Sequence, residues 1–241
     1  MIQVENLTKV YDSLSAVSDL TFTVGPGEVL GLVGPNGAGK TTTLRSIAGI
    51  VRPTNGTITI GGHDLSRAPV EAKRLLAFMP DEPHLFEHLT VEEHLQFTAR
   101  IYQLGDVGSR ATALLVELEL AEKSRALPGE LSRGMKQKLA IACGLLHEPR
   151  ALLFDEPLTG LDPAGIRKMK RTIVARARAG ASVILSSHLL HLVEEICSRV
   201  LVVQRGRKVA WGTIQEILYS RPELAGRSLE EVFLALTGDS S

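Results

Sequence analysis

Residues Gly34 to Thr42 read Gly-Pro-Asn-Gly-Ala-Gly-Lys-Thr-Thr and fit the phosphate-binding pattern G-x-x-x-x-G-K-[ST], with Gly34, Gly39, Lys40 and Thr41 in the required places. The residue types carry the chemistry. Glycines let several backbone N–H groups converge on phosphate oxygens, Lys40 places a point charge by the β and γ oxygens, and Thr41 offers Mg²⁺ a hydroxyl. The candidate nucleotide contacts are therefore Gly34, Pro35, Asn36, Gly37, Ala38, Gly39, Lys40, Thr41 and Thr42, with Thr41 also a candidate metal ligand. A second candidate set is Asp155 and Glu156, which end the apolar run Leu152-Leu-Phe. Carboxylates delivered at the C-terminal end of a buried strand stand where parallel α/β sheets bind ligands. Asp155 is placed to hold the Mg²⁺ shell. Glu156, pointing differently along an extended backbone, is placed to polarise a water for in-line attack on the γ-phosphate.

These residues need elements to position them. Glu28 to Val33 is a short apolar run of buried-strand type, and Thr41 to Ile50 carries Leu44, Ile47 and Ala48 at helical spacing, so the loop joins strand to helix. Ile2 to Val4, Leu20 to Val24 and Gly56 to His63 alternate as half-buried strands and predict a small antiparallel sheet beside the nucleotide. From about Pro83 to Glu148 the pattern turns helical, over Val91 to Leu104, Ser109 to Leu120 and Ser132 to Leu146, separated by Gly105-Asp106 and Pro128-Gly129. Strand-like Ala151 to Phe154 and Ser182 to Leu185 then alternate with helices from Pro163 and Leu189, the rhythm of a parallel sheet. Val200 to Val203 and Lys208 to Trp211 bracket Arg205-Gly206 as a hairpin, and Leu229 to Leu236 closes the chain as an amphipathic segment.

The 241 residues are 44% hydrophobic, enough for one sizeable unit. Lys+Arg and Asp+Glu both total 27, so no global field gathers nucleic acid. The N-terminus lacks the basic start and apolar core of a signal peptide, and Leu139 to Leu146, the longest apolar stretch, is far short of the ~20 residues that cross a bilayer. A cytoplasmic protein is expected, with any membrane role coming through a partner. Cys143 and Cys197 sit in apolar helical patterns, which fits a reducing compartment.

Further segments sharpen the assignment. Leu131-Ser-Arg-Gly-Met-Lys-Gln-Lys keeps Ser132 and Gly134 of a signature LSGGQ and carries Arg133 and Met135 in place of a glycine and the glutamine. Leu158 to Asp162 matches a D-loop, and Ser186-Ser-His188 follows a strand as a switch histidine does. Through these motifs and their order the sequence resembles, over essentially its whole length, the nucleotide-binding subunit of ATP-binding cassette (ABC) transporters. The resemblance implies an α/β P-loop NTPase fold with a mainly parallel sheet core, a small antiparallel β subdomain and an inserted α-helical subdomain. It divides the chain into a core at about 1–82 and 149–212, a helical subdomain at about 83–148 and a C-terminal helical segment at about 213–241.

What the resemblance implies about roles goes further. Glu156, His188 and Lys40 become the catalytic set, Ser132 and Gly134 an anion site at a helix N-terminus that meets the γ-phosphate held by the other subunit, and Tyr11 the aromatic that stacks on adenine. Alone, each has a plainer reading: Ser132 as a helix N-cap, Asp162 as a cap before Pro163, His188 as a structural histidine, Tyr11 as an edge-strand aromatic. Phe78 to Pro83 stands at the Q-loop, with Asp81 where a glutamine is usual. Asp81 can accept from a Mg²⁺-bound water but cannot donate, which makes it a candidate nucleotide and metal contact. ATP and Mg²⁺ are the implied ligands, and an integral membrane permease and a second ABC ATPase chain, identical or homologous, the implied partners. The signature variant, the aspartate-bearing Q-loop and the C-terminal segment look like bacterial ABC-2 type exporter ATPases, peripheral to the cytoplasmic face of the cell membrane through the permease. A soluble ABC ATPase acting on ribosomes or DNA is the alternative, and a nucleotide-dependent scaffold a third.

Two clusters look less chemical. His84, His88 and His94 lack a neighbouring cysteine and the pattern of a metal site, and with Leu85, Phe86 and Leu89 they suit either a partner-facing surface or a buried helix start. Arg167 to Arg171 and Arg176 to Arg178 form a basic stripe with no aromatic platform, read as a solvated helix face, and no nucleic-acid partner is expected.

Overall fold

The computed structural model describes residues 1–219 and 229–238. Two sheets organise the chain. One is antiparallel, with β1 (Ile2–Tyr11), β2 (Leu14–Val24), β4 (Asn55–Ile60) and β5 (His63–Asp64) in the order β2-β1-β4-β5. The other has β3 (Val29–Val33), β6 (Leu76–Met79), β7 (Ala151–Asp155), β8 (Ser182–Ser186), β9 (Arg199–Gln204) and β10 (Arg207–Gly212) in the order β10-β9-β3-β8-β7-β6. Within it β9, β3, β8, β7 and β6 run parallel, and only β10 is antiparallel to its neighbour.

The parallel strands read as unbroken apolar runs because both faces are covered. Side-chain alternation assigns the faces. Leu152 and Phe154 of β7 and Val183 and Leu185 of β8 enter one core, with Leu95, Leu139 and Ile173 of the helices. Leu153 and Ile184 enter the other, with Ile2, Leu20, Leu44 and Ile47 from the antiparallel sheet and α1 (Lys40–Ile47). A third cluster joins α7 (Leu190–Ile196), β9 and the final helix α9 (Leu229–Thr237) through Val193, Val202 and Val232.

Between β6 and β7 lies the helical stretch, where three helices form as the periodicity predicts: α3 (Val91–Ile101), α4 (Gly108–Glu117) and α5 (Arg133–Leu145). Local chemistry starts them. Thr90 and Glu93 make a reciprocal capping box, with Glu93 Oε2 accepting from Thr90 N at 2.7 Å, and Ser132 Oγ accepts from Met135 N at 3.3 Å. The helix α6 (Pro163–Arg178) starts from Asp162, whose Oδ1 accepts from Gly165 N at 2.8 Å. Three elements carry no clear sequence signal: α2 (Pro69–Arg74), the short β6, and α8 (Ile214–Tyr219). The Gly56 strand turns at Gly61-Gly62 into β5, which is only two residues long. Cys197 ends α7 in extended conformation rather than lying within a helix.

Where β3 meets α7, space is short. A Cβ built on Gly31 would lie 2.4 Å from Val193 Cγ1 and 3.1 Å from Cys197 Sγ. Gly31→Ala is therefore expected to destabilise the protein by about 1–3 kcal/mol through overpacking, measured by denaturant unfolding. An unchanged midpoint would show that α7 can retreat freely.

Candidate active site

Four loops that carry candidate residues follow four adjacent parallel strands. In the strand order β3-β8-β7-β6, the phosphate loop leaves β3, Ser187 and His188 leave β8, Glu156 leaves β7, and Asp81 comes after β6. Parallel register puts all four exits on one edge of the sheet, the carboxyl edge where such sheets bind ligands.

The phosphate loop is held from both sides. Gly39, at φ 102°, caps α1 in a left-handed conformation, and a Cβ there would meet Ala16 O at 2.4 Å. A Cβ on Gly34 would meet Val203 O at 2.3 Å. The Arg205-Gly206 turn ties the two sheets to the loop: Gly206 N donates to Ala38 O at 3.0 Å, and Ser18 N donates to Gly206 O at 2.8 Å. Lys40 is buried, its Nζ donating to Gly34 O at 2.7 Å and Pro35 O at 3.2 Å. Burial lowers its pKa from the ordinary lysine value, against the charges of Glu156 and Asp155, which act to raise it. The ammonium thus sits desolvated among carbonyl oxygens, and an anionic phosphate would be a stronger partner.

Cross-strand register builds the carboxylate side. Asp155 and Ser186 are paired positions of β7 and β8. Ser186 Oγ donates to Asp155 Oδ1 at 2.6 Å and accepts from Glu156 N at 3.1 Å, while Glu156 N also reaches Ser186 O at 3.2 Å. The strand ends there. Glu156 adopts φ 49°, not the extended backbone expected of it, because its N–H is drawn to Ser186 and its carbonyl accepts from Thr159 N at 3.2 Å. This turn swings the carboxylate to His188: Glu156 Oε2 lies 2.8 Å from His188 Nδ1 and accepts from His188 N at 3.3 Å. Asp155, Ser186, Glu156 and His188 form one hydrogen-bonded chain. Sequence reasoning named Ser186 only as the lead-in to His188 and missed its pairing with Asp155. Its only signal is a polar side chain ending an apolar strand in register with Asp155.

Other candidates fall elsewhere. Tyr11 ends β1, an inner strand rather than an edge strand, beyond its last pair with β4 at Thr8. Its ring is exposed, with Lys9 Nζ 4.7 Å from the centroid. Ser132 and Gly134 open α5, where Gly134 packs against the D-loop; a Cβ there would be 3.3 Å from Gly160 O. Asp81 takes Arg133 as its partner, at 3.0 Å. His94 belongs to no surface: it is buried, Nε2 accepting from Phe86 N at 3.0 Å and Nδ1 donating to Thr90 O at 2.8 Å. Among the described residues no cluster of three or more His, Cys, Asp or Glu could hold a metal ion. Three of the six basic residues of the stripe are paired locally, Lys168 with Glu119 at 3.0 Å, Arg176 with Glu117 at 2.6 Å and Lys170 with Glu195. Burial keeps Cys143 and Cys197 protonated, with pKa values pushed up to about 11 and about 12.

A phosphate loop, a buried carboxylate and a glutamate–histidine pair on one sheet edge define a P-loop ATPase. The family model described as "ABC transporter" matches residues 17–159. The ABC-type transporter ATP-binding protein EcsA of Bacillus subtilis (strain 168) is 33% identical, with 100% of this chain and 98% of the relative covered. The SkfA peptide export ATP-binding protein SkfE of the same organism is 38% identical, covering 86% and 87%. A solved structure of the ATP-binding subunit of an ABC transporter superposes with a TM-score of 0.93 at 36% identity, over 98% of this chain and 99% of that one. The chain belongs to the ABC transporter family, as an ATP-binding and ATP-hydrolysing subunit.

Ser186→Ala removes a donor from the buried Asp155 and an acceptor from Glu156 N. The expected cost is about 1–3 kcal/mol of stability and about 10- to 100-fold in turnover through misplacement of Glu156. Unfolding and steady-state ATPase assays check it, and wild-type turnover in this variant would remove Ser186 from the account.

Proposed function

We propose that the chain is the motor subunit of a bacterial exporter, working as a pair of ATPase chains on a separate membrane permease. The observation that carries the catalytic half of this reading is the hydrogen-bonded run from Asp155 through Ser186 to Glu156 and His188 beside a buried Lys40. Lys40 exchanges its carbonyl partners for the β and γ oxygens of ATP, and the loop N–H groups surround them. Thr41 and Asp155 are hard oxygen donors suited to Mg²⁺, which when bound neutralises charge on those oxygens. Glu156 accepts the proton of the attacking water as its oxygen bonds to the γ-phosphorus and the bond to ADP breaks. His188 holds the Glu156 carboxylate and presents its remaining nitrogen to the γ-phosphate. Asp81, at the same sheet edge, is engaged by Arg133 rather than turned to the metal, and Tyr11, exposed at the end of β1, is the group we assign to stack on adenine.

The second half of the site comes from another chain. Ser132 and Gly134 form a capped helix N-terminus whose cap residue Ser132 is exposed, so its anion-binding end is open to a facing nucleotide. ATP drives closure only through its higher affinity for the closed pair, and phosphate release reopens it.

Export is supported by the relatives that carry it in their names, such as the SkfA peptide exporter subunit. Among the described residues no helix is long and apolar enough to cross a membrane, so a permease would supply the path. The Q-loop side offers it a surface. Phe86 is exposed and packs edge-on to Phe97 with centroids 4.9 Å apart, at the rim of a groove of about 300 Å³ lined also by Pro83, His84 and Tyr102. An apolar helix laid into this groove from the permease would place the motor on the cytoplasmic face.

Glu156→Gln keeps the shape of the side chain and removes the base. The expected outcome is loss of turnover, about 10²-fold or more, with an ATP-stabilised dimer retained. ATPase assays with sedimentation in ATP check both, and an active Glu156→Gln protein would show that another group takes the proton.

A further inference from the structure

Two of the three departures from the family's motifs, Asp81 and Arg133, meet in space. Arg133 Nη2 donates to Asp81 Oδ1 at 3.0 Å although the residues stand 52 apart in sequence. Their loops are already joined, because Gln137 Nε2 donates to Pro80 O at 3.1 Å. The arginine stem also runs along the D-loop: a Cβ on Gly160 would lie 3.2 Å from Arg133 Cδ. One side chain therefore touches the Q-loop, belongs to the signature and lies on the D-loop.

The pair is exposed, its side chains 56% and 41% accessible. Such pairs shift an equilibrium by only about fivefold at most, so this one is a catch that a ligand can open rather than a strut. Each partner has a competing attraction. Arg133 is the first residue of α5, beside the Ser132 cap, where a guanidinium adds to the positive end of the helix and suits phosphate oxygens. Asp81 follows β6 on the carboxyl edge of the sheet. While paired, the two charges cancel.

We propose that the Asp81–Arg133 pair is a latch: it holds Arg133 against its own subunit, and closure exchanges it for contact between Arg133 and the phosphates of ATP bound on the partner subunit. The latch rests on the two-chain reading above. It makes Arg133 a ligand of the partner's nucleotide and Asp81 a restraint that acts through Arg133. Because a ligand shifts an equilibrium only by its differential affinity, breaking the Asp81–Arg133 ion pair on closure subtracts from what ATP supplies.

The test is a double-mutant cycle in a Glu156→Gln background, where hydrolysis does not intervene. Sedimentation would give the ATP–Mg²⁺ concentration for half-maximal dimerisation. Arg133→Gln should raise it. Asp81→Asn should lower it about two- to fivefold when Arg133 is present, and should leave it unchanged when Arg133→Gln is already in place. An Asp81→Asn effect of equal size in both backgrounds would mean that Asp81 acts directly, and would overturn the latch. So would Arg133→Gln without effect. A merely structural pair predicts weaker dimers for Asp81→Asn, the opposite sign. Failure of the Glu156→Gln parent to dimerise at any ATP concentration would instead bring down the two-chain reading, and the latch with it.

Discussion

A buried carboxylate sets the terms for the rest of the molecule. Asp155 is buried at the end of a strand whose other four residues are fully enclosed. Removing a carboxylate from water is costly unless it is hydrogen-bonded, and the donor here is Ser186, one strand away and in register. The same hydroxyl accepts from Glu156 N and so fixes the left-handed turn that sends the glutamate to His188. A one-residue slip between β7 and β8 would flip every side chain of a strand to the other face, exchange the two cores and separate the pair. The apolar alternation that assigns Leu152 and Phe154 to one core and Leu153 to the other therefore protects the chemistry as well as the fold.

The phosphate loop depends on the same sheet through backbone packing. Gly34 and Gly39 leave no room for a Cβ against Val203 O and Ala16 O, and Gly206 bonds both the loop and β2. The loop is thus pinned between two sheets by backbone contacts, and Lys40 Nζ donates to the carbonyls of Gly34 and Pro35 within it.

Much of this was legible in the residues. The phosphate loop, the Asp155-Glu156 pair and the helix caps at Ser132 and Asp162 are short-range patterns, each explained by neighbours in sequence. The long-range features were not. Nothing local marks Ser186 as the partner of Asp155, which emerges only when β8 is placed beside β7. Four-residue β6 reads as a lead-in to the Q-loop, and only its pairing with β7 makes it a strand. Glu156 departs from the extended backbone for a tertiary reason, and His94 is buried for another, its two ring nitrogens engaged by Phe86 N and Thr90 O. Asp81 and Arg133 each looked like a lone departure from a motif. Their meeting shows two changes that compensate in charge.

The central claim is that each ATP is hydrolysed between the phosphate loop of one chain and the signature of another. Mixing two inactive variants tests it most directly: Lys40→Ala, which spoils the phosphate loop, and Ser132→Arg, which blocks the signature. Each alone should be inactive, and a mixture should recover ATPase activity, because the mixed dimer contains one site with an intact loop facing an intact signature. No recovery on mixing, despite dimer formation, would contradict the shared site, and so would full activity of the Ser132→Arg protein by itself.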